Sequence, residues 1–67
     1  LPEAVKKLLE VMEYDIPYTS RELMEKLELK SREGFRRNYL HPAVKLNLVR
    51  LTVPDKPNSR NQRYVKI

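Results

Sequence analysis

The residues of this chain that could do chemistry are few, and most of them are cations. His41 is the single histidine among 67 residues, and cysteine is absent. A metal site or a general base there needs convergent carboxylates or thiols, and the sequence offers no such grouping. Beside Pro42 on a helix surface, His41 reads as inert or as a phosphate contact. Glu10 and Glu13 read as solvated neighbours of Lys6 and Lys7, not as a paired acid and base. With Gly34 as the only glycine, no glycine-rich loop can cradle a nucleotide's phosphates. The chain is therefore expected to hold no catalytic residue, no cofactor and no metal. What remains is chemistry suited to a polyanion. Arg37 can donate two hydrogen bonds to guanine and Asn38 can pair with the adenine edge. Lys56, Arg60 and Arg63 can reach a minor groove or backbone, and Asn58, Ser59, Asn61 and Gln62 can hydrogen-bond phosphates.

Charge patterning supports this reading. Residues 1–29 carry four Lys/Arg against seven Asp/Glu, a net of −3. Residues 30–67 carry ten against two, a net of +8, and the halves together give the formal +5. Such asymmetry points to an anionic partner for the second half, with duplex DNA as the first choice. The alternative is a cationic surface kept for solubility, with the acidic helices turned toward a partner domain. No apolar run exceeds two residues, so no segment is suited to spanning a membrane. The lack of cysteine and of a signal peptide fits a cytoplasmic setting. The chain opens on Leu1 and runs straight into a helix signal, as expected of a module cut from the C-terminus of a longer protein.

The elements that must position these residues are legible. Helix is expected over about 2–14, with Pro2 at N1, Glu3 in the first turn, and Val5, Leu8, Leu9 and Met12 forming a stripe. A second helix over about 20–27 is announced by Thr19 and Glu22, the reciprocal capping box, with Tyr18 and Leu23 placed as a hydrophobic staple. Glu28-Leu29-Lys30 is a short connector, and Ser31 caps a third helix over about 32–47. The usual turn glycine is missing from that connector. Periodicity then changes to alternation: Val49, Leu51 and Val53 point one way, Arg50 and Thr52 the other. The spacing predicts strands over about 48–53 and 62–67 around a loop at 54–61, its tip extended and stiffened by Pro54 and Pro57. The PxxP match there is near chance.

Three helices and a hairpin give an α+β, mostly α fold: a winged helix-turn-helix in one domain, 1–67. At a regular 100° per residue, Phe35, Tyr39, Pro42, Ala43 and Leu46 share the core arc of the third helix, extended by Leu40 and Val44. Lys30, Gly34, Arg37, Asn38, His41 and Lys45 share the outer arc and are the candidate groove contacts. Gly34 would let the helix backbone approach a phosphate. Arg32 and Arg36 fall near the apolar arc, with stems over the core and guanidinium groups reaching acids of the first two helices. Pro42 is expected to kink this helix, since it removes the bond to the Asn38 carbonyl.

The run from Lys30-Ser-Arg through Phe35-Arg-Arg-Asn-Tyr-Leu-His-Pro42 to Pro54-Asp-Lys-Pro-Asn-Ser-Arg-Asn-Gln-Arg-Tyr64 resembles a bacterial domain across essentially the whole chain. It is similar to the C-terminal winged-helix domain of RecG-related ATP-dependent DNA helicase-like proteins, also labelled predicted transcriptional regulators. A similar domain ends some Fic-type proteins. The resemblance implies a parent with an N-terminal ATP-binding domain, absent from this sequence, on which the module could dock. Lys66 stands where the pattern usually has an apolar residue, and Ile67 where Thr is common; both bear on the pairing of the last strand. Two functions are thus expected of the chain. It is a DNA-binding module, mainly electrostatic, or a protein-interaction module that docks on its parent or on a partner.

Overall fold

A computed structural model describes residues 1–67. Helix α1 runs over Glu3–Val11 and buries Val5 and Leu8, with Met12 following them into the core. It is shorter than the spacing suggests, because the chain turns extended at Met12 (φ −103°, ψ 136°), and Pro2 sits at the N-cap instead of N1. No basic residue lies in the last turn of α1. The far end of the chain supplies one: the Lys66 ammonium donates to the Leu9 carbonyl at 3.0 Å and the Met12 carbonyl at 3.3 Å. It also stands 4.3 Å from the centroid of the Tyr14 ring. A cation on the carbonyls at a helix C-terminus suits the dipole and their remaining hydrogen-bonding capacity. Lys66 therefore has a partner that an apolar residue could not engage.

Helix α2, Ser20–Lys26, starts at a complete capping box. The Thr19 hydroxyl accepts from the Glu22 N–H at 3.1 Å, and the Glu22 carboxylate accepts from the Thr19 N–H at 2.8 Å. It stops in a Schellman turn. The Glu28 N–H donates to the Glu25 carbonyl and the Leu29 N–H to the Met24 carbonyl. Glu28 adopts φ 57°, so a glutamate occupies the left-handed position that the missing glycine would fill. Asn47 (φ 59°) does the same after the third helix, with Leu48 N–H donating to Ala43 and Asn47 N–H to Val44.

The third helix is continuous but not uniform. A short α segment, α3 (Arg32–Phe35), leads into a π turn over Arg36–Leu40 and then α4, His41–Lys45. In the wide turn the His41 N–H donates to Arg36, five residues back. Pro42 lacks an N–H and its ring crowds the carbonyl four residues earlier, and a widened turn just before it accommodates both. The extra residue moves the core stripe. Phe35, Leu40 and Ala43 are buried, whereas Leu46 is 48% exposed. The regular wheel assigned Leu46 to the core arc and Leu40 only to its margin, and the structure reverses the two.

Strands β1 (Val49–Leu51) and β2 (Tyr64–Lys66) pair antiparallel, with Val49 opposite Lys66 and Leu51 opposite Tyr64. Tyr64 and Val65 are both buried, which explains the irregular alternation of β2. Two further bridges join β2 to the segment between α1 and α2, Tyr18 antiparallel to Tyr64 and Tyr14 parallel to Lys66. Tyr18 and Tyr64 exchange both backbone hydrogen bonds, at 2.9 and 2.8 Å. These bridges tie the first helix pair to the hairpin. A one-residue bridge leaves no period to read in a sequence. One cluster, from Val5 and Leu8 through Phe35 and Leu40 to Val49 and Tyr64, forms the core. The fold is three helices and a two-stranded hairpin, in keeping with a small winged-helix domain.

Candidate functional site

The loop between the strands is built by a glutamine. Gln62, 6% exposed, accepts from the Val53 N–H at 2.9 Å and donates to the Val53 carbonyl at 2.6 Å and the Lys56 carbonyl at 3.0 Å. A buried amide whose donors and acceptor are all engaged is worth far more in place than removed, since removal orphans its partners. The Thr52 N–H donates to the Arg63 carbonyl at 2.9 Å and the Arg63 N–H to the Thr52 hydroxyl at 3.1 Å, continuing the hairpin past β1. Turns at Lys56–Ser59 and Ser59–Gln62 then fold the tip back. The tip is a run of turns, not the extended segment that its prolines suggest. Gln62 is not available to a phosphate, contrary to its sequence reading.

That folded loop faces the beginning of the third helix. Arg36 donates to the Asn58 side-chain oxygen at 3.3 Å, across twenty-two residues of sequence. Between loop, helix and the start of α2 lies a pocket of about 460 Å³ lined by Ser20, Arg21, Arg32, Arg36, Arg60 and Tyr64, with Thr19, Gln62 and the Pro57–Ser59 turn completing it. Four arginines line this space and no acidic residue does. Arg32 and Arg36 thus do not reach acids of the first two helices, as their wheel position suggests. The ion pairs present are Arg21–Glu25 at 3.7 Å and Arg37–Glu33 at 3.8 Å, both solvent-exposed. Such pairs are worth little.

The sequence-derived candidates are distributed unevenly around this feature. Lys30, Arg37, Asn38, His41 and Lys45 are all exposed along the third helix. The π turn lies among them, so a single 100° rotation no longer relates Arg37 and Asn38 to Lys45. Gly34 is half-buried, and its N–H donates to the capping Ser31 hydroxyl at 3.1 Å. A Cβ at Gly34 would lie 3.3 Å from that hydroxyl oxygen, so its small size first serves the cap. Lys56, Arg60 and Arg63 are exposed in the wing, and of the candidate cations only Arg60 borders the pocket, beside Asn58, Ser59 and Gln62. Arg21, Arg32 and Arg36 were missed as site residues. Their signal was present in the i, i+4 spacing of Arg32 and Arg36, which sets both on the helix edge that the wing covers.

One acid lies close to the basic side. The Thr19 backbone N–H, then the Thr19 side chain, hold the exposed Glu22 carboxyl below the usual carboxylate range, and the cations of Arg63 and Lys26 add to the effect. No cluster of His, Cys, Asp or Glu able to hold a metal ion is found. No helix is long and apolar enough to cross a membrane.

Known proteins place this arrangement in a family. The chain matches, over residues 3–65, the family described as Filamentation induced by cAMP protein Fic-like, C-terminal domain. It is also similar to the crystal structure of a Fic family protein from Desulfovibrio desulfuricans G20, with 34% sequence identity and a TM-score of 0.91. That similarity covers 100% of this chain but 20% of the other, so the chain spans about one fifth of that protein's length. No curated protein matches. Of the two parents implied by the sequence pattern, the Fic type is the one with matches. With 63 of 67 residues inside the family's pattern, the chain belongs to the Fic-like C-terminal domain family.

Proposed function

We propose that this domain is a non-catalytic DNA-binding module of a Fic-type protein, holding duplex DNA mainly through its phosphates with limited base readout. The observation that supports the reading is the joining of wing to helix. Gln62 folds the wing and Arg36 ties it to the third helix through Asn58. Side chains from two distant segments are thereby held beside one another for this role: Lys30, Arg37 and Lys45 with Asn38 and His41 on the helix, Lys56, Arg60 and Arg63 on the wing. Gly34 belongs to the same stretch as a cap site. A regulatory role in transcription is one use of such a module; a helicase-like ATPase parent has no support in the family match.

Anisotropy of a labelled mixed-sequence duplex tests this. Binding at low salt is expected, falling steeply as salt rises, and weakened in Arg37→Ala/Lys45→Ala. Undetectable binding at low salt overturns it. A second reading, docking on the rest of a Fic-type parent, draws on the exposed Tyr14, Ile16, Leu46 and Ile67. Mutual NMR shifts between the domain and the parent's remaining part would support it, and their absence would end it.

A further inference from the structure

We propose that the pocket between the third helix, the wing and the start of α2 is a phosphate site that receives one phosphodiester of the duplex backbone, an assignment resting on the DNA reading above. Four arginines, Arg21, Arg32, Arg36 and Arg60, converge there with no carboxylate among the lining residues. Like charges brought together repel unless a counter-anion joins them, and these have none within the fold. Arg32 and Arg60 take part in no ion pair, and Arg36 engages only the neutral amide of Asn58. Arg21 has just a long, solvent-screened pair with Glu25. Guanidinium groups are the side chains best shaped for the oxygens of a phosphate, which they grip two at a time.

Tyr64 also borders the pocket, its hydroxyl neither hydrogen-bonded within the protein nor sealed from solvent. Ser20 and Ser59 add hydroxyl donors at its rim. The pocket's 460 Å³ is roomier than one phosphate group needs, which suits a diester that carries its sugars with it. Its walls are also the two elements that flank DNA in the reading above, which favours a backbone phosphate over a phosphorylated side chain.

The test combines three probes on the whole domain: inorganic phosphate, a mixed-sequence 15-base-pair duplex and a phosphoserine peptide, followed by amide and arginine side-chain NMR. Phosphate and duplex are both expected to shift Thr19, Ser20, Asn58 and Ser59. Arg32→Gln/Arg36→Gln should weaken duplex binding roughly tenfold and lower its salt slope by about one. Arg60→Gln, a single change in the wing that leaves the third helix intact, should act in the same direction and guards against a misfolded double variant. Duplex affinity unchanged in both variants overturns the pocket and leaves the DNA reading standing. Pocket shifts with phosphate and the phosphoserine peptide but none with duplex overturn the backbone assignment and the DNA reading together. Shifts scattered over surface lysines, with none at the pocket, reject the site for every source.

Discussion

Helix α2 and the third helix begin in the same way and then part. Each opens on a hydroxyl that accepts from the N–H three residues on, Thr19 from Glu22 and Ser31 from Gly34, both at 3.1 Å. In α2 the third residue is a glutamate that closes the box; in the third helix it is a glycine that cannot. Helix α2 then runs two regular turns and stops in a Schellman turn. The third helix widens within its second turn and carries its core residues five apart, Phe35 to Leu40. Ends are governed by residues next to one another in sequence. The interior answers to a proline and to whatever packs on both sides.

The largest expected effect breaks the comparison at its interior. Leu40→Ala should cost about 2–5 kcal/mol in urea unfolding, because Leu40 is fully inside the core, while Leu46→Ala should cost well under 1 kcal/mol. Equal losses, or the reverse order, would restore the regular wheel. At the shared starts, Thr19→Ala should cost about 1 kcal/mol and Ser31→Ala less, since only Thr19 anchors a reciprocal pair. A larger loss at Ser31 would mean that the two caps are not alike. At the shared stops, Glu28→Gly should stabilise the domain by roughly 0.5–1 kcal/mol by relieving a left-handed glutamate. Destabilisation there would show that the Glu28 side chain has a role of its own.

The smallest effect concerns pH. Glu22 has a depressed pKa when folded, so its stabilising contribution is present above the ordinary carboxylate value and lost as pH falls through the lowered one. Glu22→Gln should therefore lower the melting temperature slightly at neutral pH, leave it nearly unchanged at low pH, and so flatten the acid limb of the profile. An identical acid limb in the variant would remove Glu22 as a contributor.

How much of this was legible in the sequence follows the same division. The capping box, the stripe of α1 and the strand alternation at Val49 to Leu51 depend on neighbours within four residues, and all of them read correctly. The π turn did not, because Pro42 signals a disturbance without saying whether the helix will bend or widen. The Tyr18–Tyr64 bridge, the docking of Lys66 on α1 and the arginine pocket each join segments that are far apart in sequence. Arg32 and Arg36 are legible as a pair, but a wheel describes one helix alone and cannot show that the wing lies beside it. Gln62 looked like one polar residue among many in a polar loop. Its burial is set by three backbone partners, none of which carries a side-chain signature.

That glutamine has a consequence for portability. The wing's shape is written almost wholly within residues 52–63, in hydrogen bonds between Thr52, Val53, Lys56, Ser59, Gln62 and Arg63. A segment that carries its own internal brace is transplantable: moved onto another hairpin with Gln62 retained, it should keep its curvature, and moved without it, it should collapse into an ordinary flexible loop. Tip residues such as Pro57, Asn58 and Arg60 are then free to vary in kind while the brace stays fixed, so a single scaffold can be re-addressed to new partners by changing only what it holds out.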